Sequence, residues 1–163
     1  MNRKYTKEQY LELAKKIQRE IPDVVLSTDI IVGFPGETEE EFDTTYNFLK
    51  EIKFYKIHVF KYSRRNGTKA AVMPNQIPPE VQEERSKKII ELSKNIQEEY
   101  NKLYIGKTVK VLFEEKDEEY WKGHTENYLH VYAKSNEDLE NKIADVFVEN
   151  IGNERVYGTI IKM

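Results

Sequence analysis

The chain has 163 residues, enough for one domain of ordinary size or two small ones, with 39% hydrophobic and 34% charged residues. No apolar run approaches the ~18 residues of a membrane span. Met1-Asn2-Arg3-Lys4-Tyr5 lacks the apolar core of a signal peptide, which places the chain in the cytoplasm with no membrane partner. With no cysteine and a net charge of −3, the chain alone builds no disulfide, thiolate zinc site or cysteine-bound iron–sulfur cluster, and it exerts no global attraction on nucleic acid.

Thr6 and Gln9 have capping-box spacing at the start of a helix, and Tyr10, Leu13, Ala14, Ile17 and Ile21 then recur as one apolar stripe, stopped by Pro22. Val24 to Val32 reads as the first strand. Thr38 and Glu41 form a second capping box, and Phe42, Tyr46, Leu49 and Ile52 or Lys53 follow at helical spacing. Tyr55 to Tyr62 is a second strand, with Ile57 and Val59 on one face and His58 and Phe60 on the other. Helix, strand, helix, strand in this order implies a parallel sheet with right-handed crossovers. Ser63 to Pro79 has no periodicity and reads as a long loop. Pro79 then opens a long helix, with Val81, Arg85, Ile89, Leu92, Ile96 and Leu103 along one side and Gly106 as an end signal.

After Gly106 the pattern changes to short alternating segments. Thr108 to Phe113, Tyr120 to His124, Tyr128 to Ala133, Ile143 to Glu149 and Arg155 to Ile161 are five strand candidates. A five-stranded unit of this size closes as a small barrel, which removes its exposed edges. The domain boundary falls near Tyr104.

Three segments carry chemistry. Thr28 to Thr38, T-D-I-I-V-G-F-P-G-E-T, delivers a buried strand to a helix through a tight corner, and ligands in α/β sheets sit at such strand ends. Gly33 and Gly36 let backbone approach a ligand, or serve the turn alone. The corner is neither a phosphate loop nor a dinucleotide fingerprint. Lys61-Tyr62-Ser63-Arg64-Arg65-Asn66-Gly67-Thr68-Lys69 brings cations and an aromatic to a strand exit. It suits RNA phosphates and an unpaired base, or is a solvated loop. Gly123-His124-Thr125-Glu126-Asn127-Tyr128 is a hairpin in the barrel. From Tyr104 on, eight Lys/Arg face twelve Asp/Glu, a net of −4 that argues against a general RNA magnet. The acidic run Glu114, Glu115, Asp117, Glu118, Glu119 reads as a solvated loop rather than a metal site. His58, His124 and His130 lack ligand spacing with one another.

Taken together, the segments resemble the C-terminal half of the radical SAM tRNA methylthiotransferases. The resemblance rests on Arg3-Lys4-Tyr5-Thr6, on Thr28 to Thr38, on His58 through Thr68, on Ala70-Ala71, Met73, Asn75-Gln76 and Glu83-Glu84-Arg85, and on Gly123 to Tyr128 in a region similar to a TRAM domain. It implies an α/β fold. Residues 1–78 would be the C-terminal part of a radical SAM partial (β/α) barrel, 79–103 a connecting helix, and 104–163 a TRAM-like, OB-like β-barrel.

The resemblance also implies an activity: insertion of a methylthio group into a hypermodified adenosine beside the tRNA anticodon. S-adenosylmethionine and two 4Fe-4S clusters would serve the full-length enzyme. The cluster cysteines would lie N-terminal to Met1, so the fragment alone is expected to be inactive and to bind none of these groups. Tyr62-Ser63-Arg64-Arg65 and the Thr-Glu-Asn-Tyr motif look most like the threonylcarbamoyladenosine branch, with the isopentenyladenosine branch close behind. In the family's adenine-contacting pattern Gly-x-Ile-x-Gly-x-x-Glu, Ile31 and Gly33 fit the middle, Asp29 stands for the first glycine and Gly36 for the glutamate. Ile31 would pack on adenine, Gly33 would let the chain pass close with Gly36 beyond it, and the strand around Val59 and Phe60 would offer backbone to the adenine edge, these five forming the cofactor site. Lys61, Tyr62, Arg64 and Arg65, and less strongly Asn127 and Tyr128, would contact RNA. The expected partners are the tRNA anticodon stem-loop, the N-terminal portion of the same protein, and a second copy paired through an exposed barrel edge. From a different class, the missing cysteines suit a stand-alone RNA-binding module without catalysis.

Overall fold

The fold is described from a computed structural model over residues 4–152 and 155–162. Arg3, the first residue of the Arg3-to-Thr6 match, lies outside the described residues. The chain divides into two compact units, Met1–Ile96 and Gln97–Met163.

In the first unit, α1 (Lys7–Glu20) and α2 (Glu39–Ile52) both begin on complete capping boxes, at Thr6/Gln9 and Thr38/Glu41. Each box satisfies backbone N–H groups that a helix start otherwise leaves orphaned. Lys53 ends α2 in the left-handed region, φ 58°. Strands β1 (Ser27–Val32) and β2 (Lys56–Lys61) pair in parallel, Ser27 opposite Lys56 through Val32 opposite Lys61. The first strand starts at Ser27 rather than Val24 because β2 offers no ladder partner beyond one bond, Tyr55 N–H to Leu26 O. Helix α3 (Pro79–Lys102) begins at the proline. Ser63 to Pro79 is not wholly irregular: Lys69–Val72 forms a 3-10 turn capped by Thr68.

One core joins these elements. Val32, Phe42, Leu49, Ile52, Phe54, Ile57, Ile89, Leu92 and Ile96 are buried together, with Ile30 and Val59 packed against them. Each large side chain contributes about 1.5–3 kcal/mol of gross burial energy. Two residues of the expected α1 stripe are outside it. Leu13 is exposed while Leu11 packs against the core, because the buried face centres near Ala14, with Tyr10 and Ile17 half-buried beside it. At about 100° per residue, Leu13 turns away from that centre. Ile21 is the extended cap residue, beyond the reach of the helical period, and Leu103 likewise lies past the end of α3 and is exposed.

The second unit is a closed barrel, in the order β3 (Thr108–Asp117), β4 (Tyr120–His124), β5 (His130–Ala133), β7 (Arg155–Lys162), β6 (Ile143–Gly152). All neighbours are antiparallel except β5 and β7. Val111, Phe113, Leu129, Val131, Val146, Val148 and Val156 fill it. Gly123 and Gly158 sit where a Cβ would lie 2.2 Å from Leu112 O and 2.4 Å from Phe147 O, so strand approach demands glycine there. Tyr128, expected to start a strand, has φ 63° and belongs to the turn before β5. The run from Glu114 is no loop either: β3 carries it as far as Asp117. Gly106, φ 79°, lies beyond the helix end and donates to Val148 O, tying the segment before β3 to β6.

Candidate functional site

The Gly33-to-Glu37 corner is built from its own residues upward. Glu37 N–H donates to Phe34 O at 2.9 Å, and Gly36 has φ 88°. Proline second and a left-handed glycine third are the signature of a type II turn. Glu37 then folds back. Its Oε2 accepts from Gly33 N–H at 2.7 Å and from Arg85 Nη1 at 2.7 Å. Arg85 also donates to Glu37 O and to Glu39 Oε2, both within 3.1 Å, and its guanidinium lies 5.3 Å from the centre of the Phe42 ring. Arg85 and Glu37 are both largely buried, at 6% and 14% side-chain exposure, so this is a desolvated clamp rather than a surface pair. Burial disfavours the Arg85 charge, but the hydrogen bonds to Glu39 and Glu37 outweigh it and raise its pKa.

Both glycines have left-handed backbones, but only one faces free space. A Cβ on Gly33 would lie 2.3 Å from Gln82 Cγ, whereas at Gly36 nothing stands within 4 Å. The room that Gly33 provides on its Cβ side is taken by Gln82 of the same chain.

The two-stranded sheet has one face in the core and the other in the open. On the open face Ile31 and Phe60 are register partners, 40% and 53% exposed, with Asp29 and His58 paired one step earlier. Two adjacent apolar side chains at the C-terminal end of parallel strands make a flat wall of the kind an aromatic ring packs on. Val59 points the other way, against the core.

The strand exit sorts its residues by task. Lys61 is paired with Glu83 at 2.9 Å, and that hydrogen bond holds the Glu83 carboxyl below its usual range. Tyr62 packs edge-on against Phe34 at 5.4 Å, with its hydroxyl buried and without a partner among the described residues. Arg64 and Arg65 are exposed, and neither has an ion pair among the described residues. In the barrel hairpin, Asn127 is engaged internally: its amide donates to Tyr104 and Tyr100, and its oxygen accepts from Thr125. Tyr128 is 64% exposed and stacks on His124, ring centres 5.5 Å apart and planes within 3°. The structure thus brings Ile31 and Phe60 together at the strand ends, with Arg64 and Arg65 exposed just after β2. Asn127 and Tyr128 belong to the other unit.

Sequence reasoning placed Arg85 on the apolar side of α3 without giving it a task. A lone cation in an apolar stripe was the signal. It also passed over the alternation Tyr120, Lys122, His124 and its echoes in Tyr132, Lys134 and in Arg155, Tyr157. Among the described residues no cluster of histidine, aspartate and glutamate could hold a metal, and no helix is long and apolar enough to cross a membrane.

Residues 1–49 match the radical SAM superfamily. The tRNA-2-methylthio-N(6)-dimethylallyladenosine synthase of Acetivibrio thermocellus is 40% identical over 165 residues, covering 99% of this chain and 34% of its own length. The corresponding synthase of Clostridium beijerinckii is 45% identical over 165 residues, covering 99% and 36%. The threonylcarbamoyladenosine tRNA methylthiotransferase of Bacillus subtilis is 39% identical over 168 residues, covering 100% and 37%. The chain therefore spans about a third of the length of the curated relatives it matches. The similarity runs through both units: over nearly its whole length the chain is similar to about a third of each of these tRNA-modifying enzymes, and over residues 1–49 to the radical SAM superfamily.

Proposed function

We propose that these 163 residues form the adenosine wall and RNA-binding part of an enzyme that methylthiolates a hypermodified adenosine beside the tRNA anticodon, in the cytoplasm. The α/β unit would be the C-terminal part of the radical SAM barrel (residues 1–78 with the helix 79–103) and residues 104–163 a TRAM-like barrel. The observation that carries this reading is the exposed register pair Ile31 and Phe60, at the strand end that leads into the corner of a family-matched segment.

The residues present fit one part of the cofactor. Ile31 and Phe60 would hold the adenine of S-adenosylmethionine, and backbone next to Gly36 has room beside it. Bound with its iron–sulfur cluster, S-adenosylmethionine supplies the carbon radical that opens a C–H bond. This chain offers no thiolate for either cluster, so its own work is binding and orientation. Arg85 and Glu37 fix the corner. Arg64 and Arg65 meet the RNA or the substituent on its base.

A threonylcarbamoyl group carries a carboxylate, and two exposed arginines with no ion pair among the described residues suit it better than an apolar isopentenyl group. That favours the threonylcarbamoyladenosine branch. The test is nucleoside analysis of tRNA from a strain lacking the gene. Loss of the methylthio mark from threonylcarbamoyladenosine is expected. Loss from isopentenyladenosine instead would reassign the branch. A full set of marks in the deletion strain would leave only an RNA-binding role without catalysis.

A further inference from the structure

The acidic run in β3 and the turn after it does not simply face water. Each of four carboxylates holds one basic side chain, from β4, from the start of β7 or from the residue after β5. Glu114 meets His124 at 2.8 Å, Glu115 meets Lys122 at 2.6 Å, Asp117 meets Arg155 at 3.2 Å, and Glu119 meets Lys134 at 2.8 Å. Glu115 and Lys122 are direct cross-strand partners. The hydrogen bond between them pulls the Glu115 carboxyl down and the Lys122 ammonium up.

The basic side chains stand among aromatic rings. Tyr132 lies opposite Lys122 on one side and Tyr157 on the other. Tyr157 packs on both Tyr120 and Tyr132, at 5.3 and 5.8 Å between ring centres. The Lys134 ammonium sits 5.0 Å from the centre of the Tyr120 ring, and the Arg155 guanidinium 4.6 Å from that of Tyr132. Beside Tyr120, Tyr157 and Lys134 opens a recess of about 320 Å³, also lined by Asn150, Gly158, Thr159 and Glu149, whose carboxylate accepts from the Thr159 hydroxyl. Interleaved rings and cations on a sheet face are what an unpaired nucleic-acid strand binds, bases on the rings and phosphates on the cations. These cations already hold anionic oxygens at hydrogen-bond distance. The barrel's net negative charge comes in part from the very acids that occupy them.

We infer that the outer face of β4, β5 and β7 takes unpaired nucleotides of RNA, with a base in the Tyr120–Tyr157 recess and phosphates on Lys122, Lys134 and Arg155, and that the carboxylates of Glu115, Asp117 and Glu119 are a built-in competitor which the RNA must displace. This deepens the RNA reading above and rests on it. Such a competitor explains how an acidic barrel can serve RNA: phosphate alone gains little by exchanging with a carboxylate, and the stacked base supplies the difference.

The test is fluorescence anisotropy of the full 163-residue chain with an anticodon stem-loop RNA and with an unstructured oligouridine, across a salt series. Tyr120→Leu with Tyr157→Leu should weaken binding about tenfold or more, the scale of lost base stacking. Glu115→Gln with Glu119→Gln should tighten it several-fold and steepen the salt dependence. Glu137→Gln with Glu140→Gln removes the same charge elsewhere on the barrel and should do distinctly less. Thermal unfolding of each variant separates lost binding from lost fold. Wild-type affinity in the folded tyrosine variant overturns the stacking face, and equal gains from the two acid pairs overturn the competitor. Binding lost only in Arg64→Ala with Arg65→Ala overturns this inference and leaves the proposed function standing. Loss in the tyrosine variant that is equal for both RNAs supports the face and counts against the anticodon preference. No binding of either RNA overturns the inference outright.

Discussion

Arg85 shows how a single residue can hold a whole corner in place. The conspicuous glycines of the corner suggest a ligand, yet Gly33 makes room for Gln82 and its N–H is spent on Glu37. What fixes the loop is a buried guanidinium from α3, reaching a carboxylate 48 positions earlier in the chain. Removing one member of a desolvated ion pair leaves the other buried and uncompensated, which costs far more than losing a surface pair. Arg85→Ala should therefore lower the stability of the first unit by about 3 kcal/mol, read from urea unfolding followed by helical circular dichroism. Adding Glu37→Gln should restore part of the loss. A single substitution costing less than about 1 kcal/mol would mean that water enters and replaces the arginine.

At the scale of elements, local signals were legible and long-range ones were not. Both capping boxes and the proline start of α3 follow from side-chain type and spacing within a few residues, and the parallel pair β1–β2 from the order of the elements. Thr38→Ala should cost about 1 kcal/mol, checked by the denaturation midpoint, because its hydroxyl satisfies Glu41 N–H at the start of α2. Leu13 and Leu103 were misplaced because periodicity gives the width of an apolar face but neither its centre nor its last turn. Those are set by tertiary partners, here the core that Ala14 joins. The acidic run was illegible for a related reason. Its partners Lys122, Lys134 and Arg155 lie 7, 15 and 38 positions away; the β3–β4 hairpin register brings the first alongside, and the folding of the later strands into the barrel brings the other two. In the candidate site, Ile31 and Phe60 could each be read from strand alternation. Their being register partners could not.

Across the whole molecule, two separate cores divide the labour. The first unit leaves the Ile31–Phe60 end of one sheet face open, and among the described residues β1 and β2 pair only with each other, so each has an unpaired outer edge. Open edges beside apolar surface invite a second copy. The 163-residue chain should dimerise in sedimentation at high concentration, and Phe60→Ser should shift it toward monomer. A clean monomer at all concentrations would mean that the face is tolerated in water, as scattered surface apolar residues are.

The sole tryptophan of the chain, Trp121, is 8% exposed inside the barrel, while α1 and α2 lie wholly in the other unit. Indole emission is therefore a private reporter of the barrel, and the far-ultraviolet helix band reports mainly on the other unit. One denaturation series watched at both wavelengths reads out whether the two halves melt as one cooperative body or in sequence, with no label and no engineered probe.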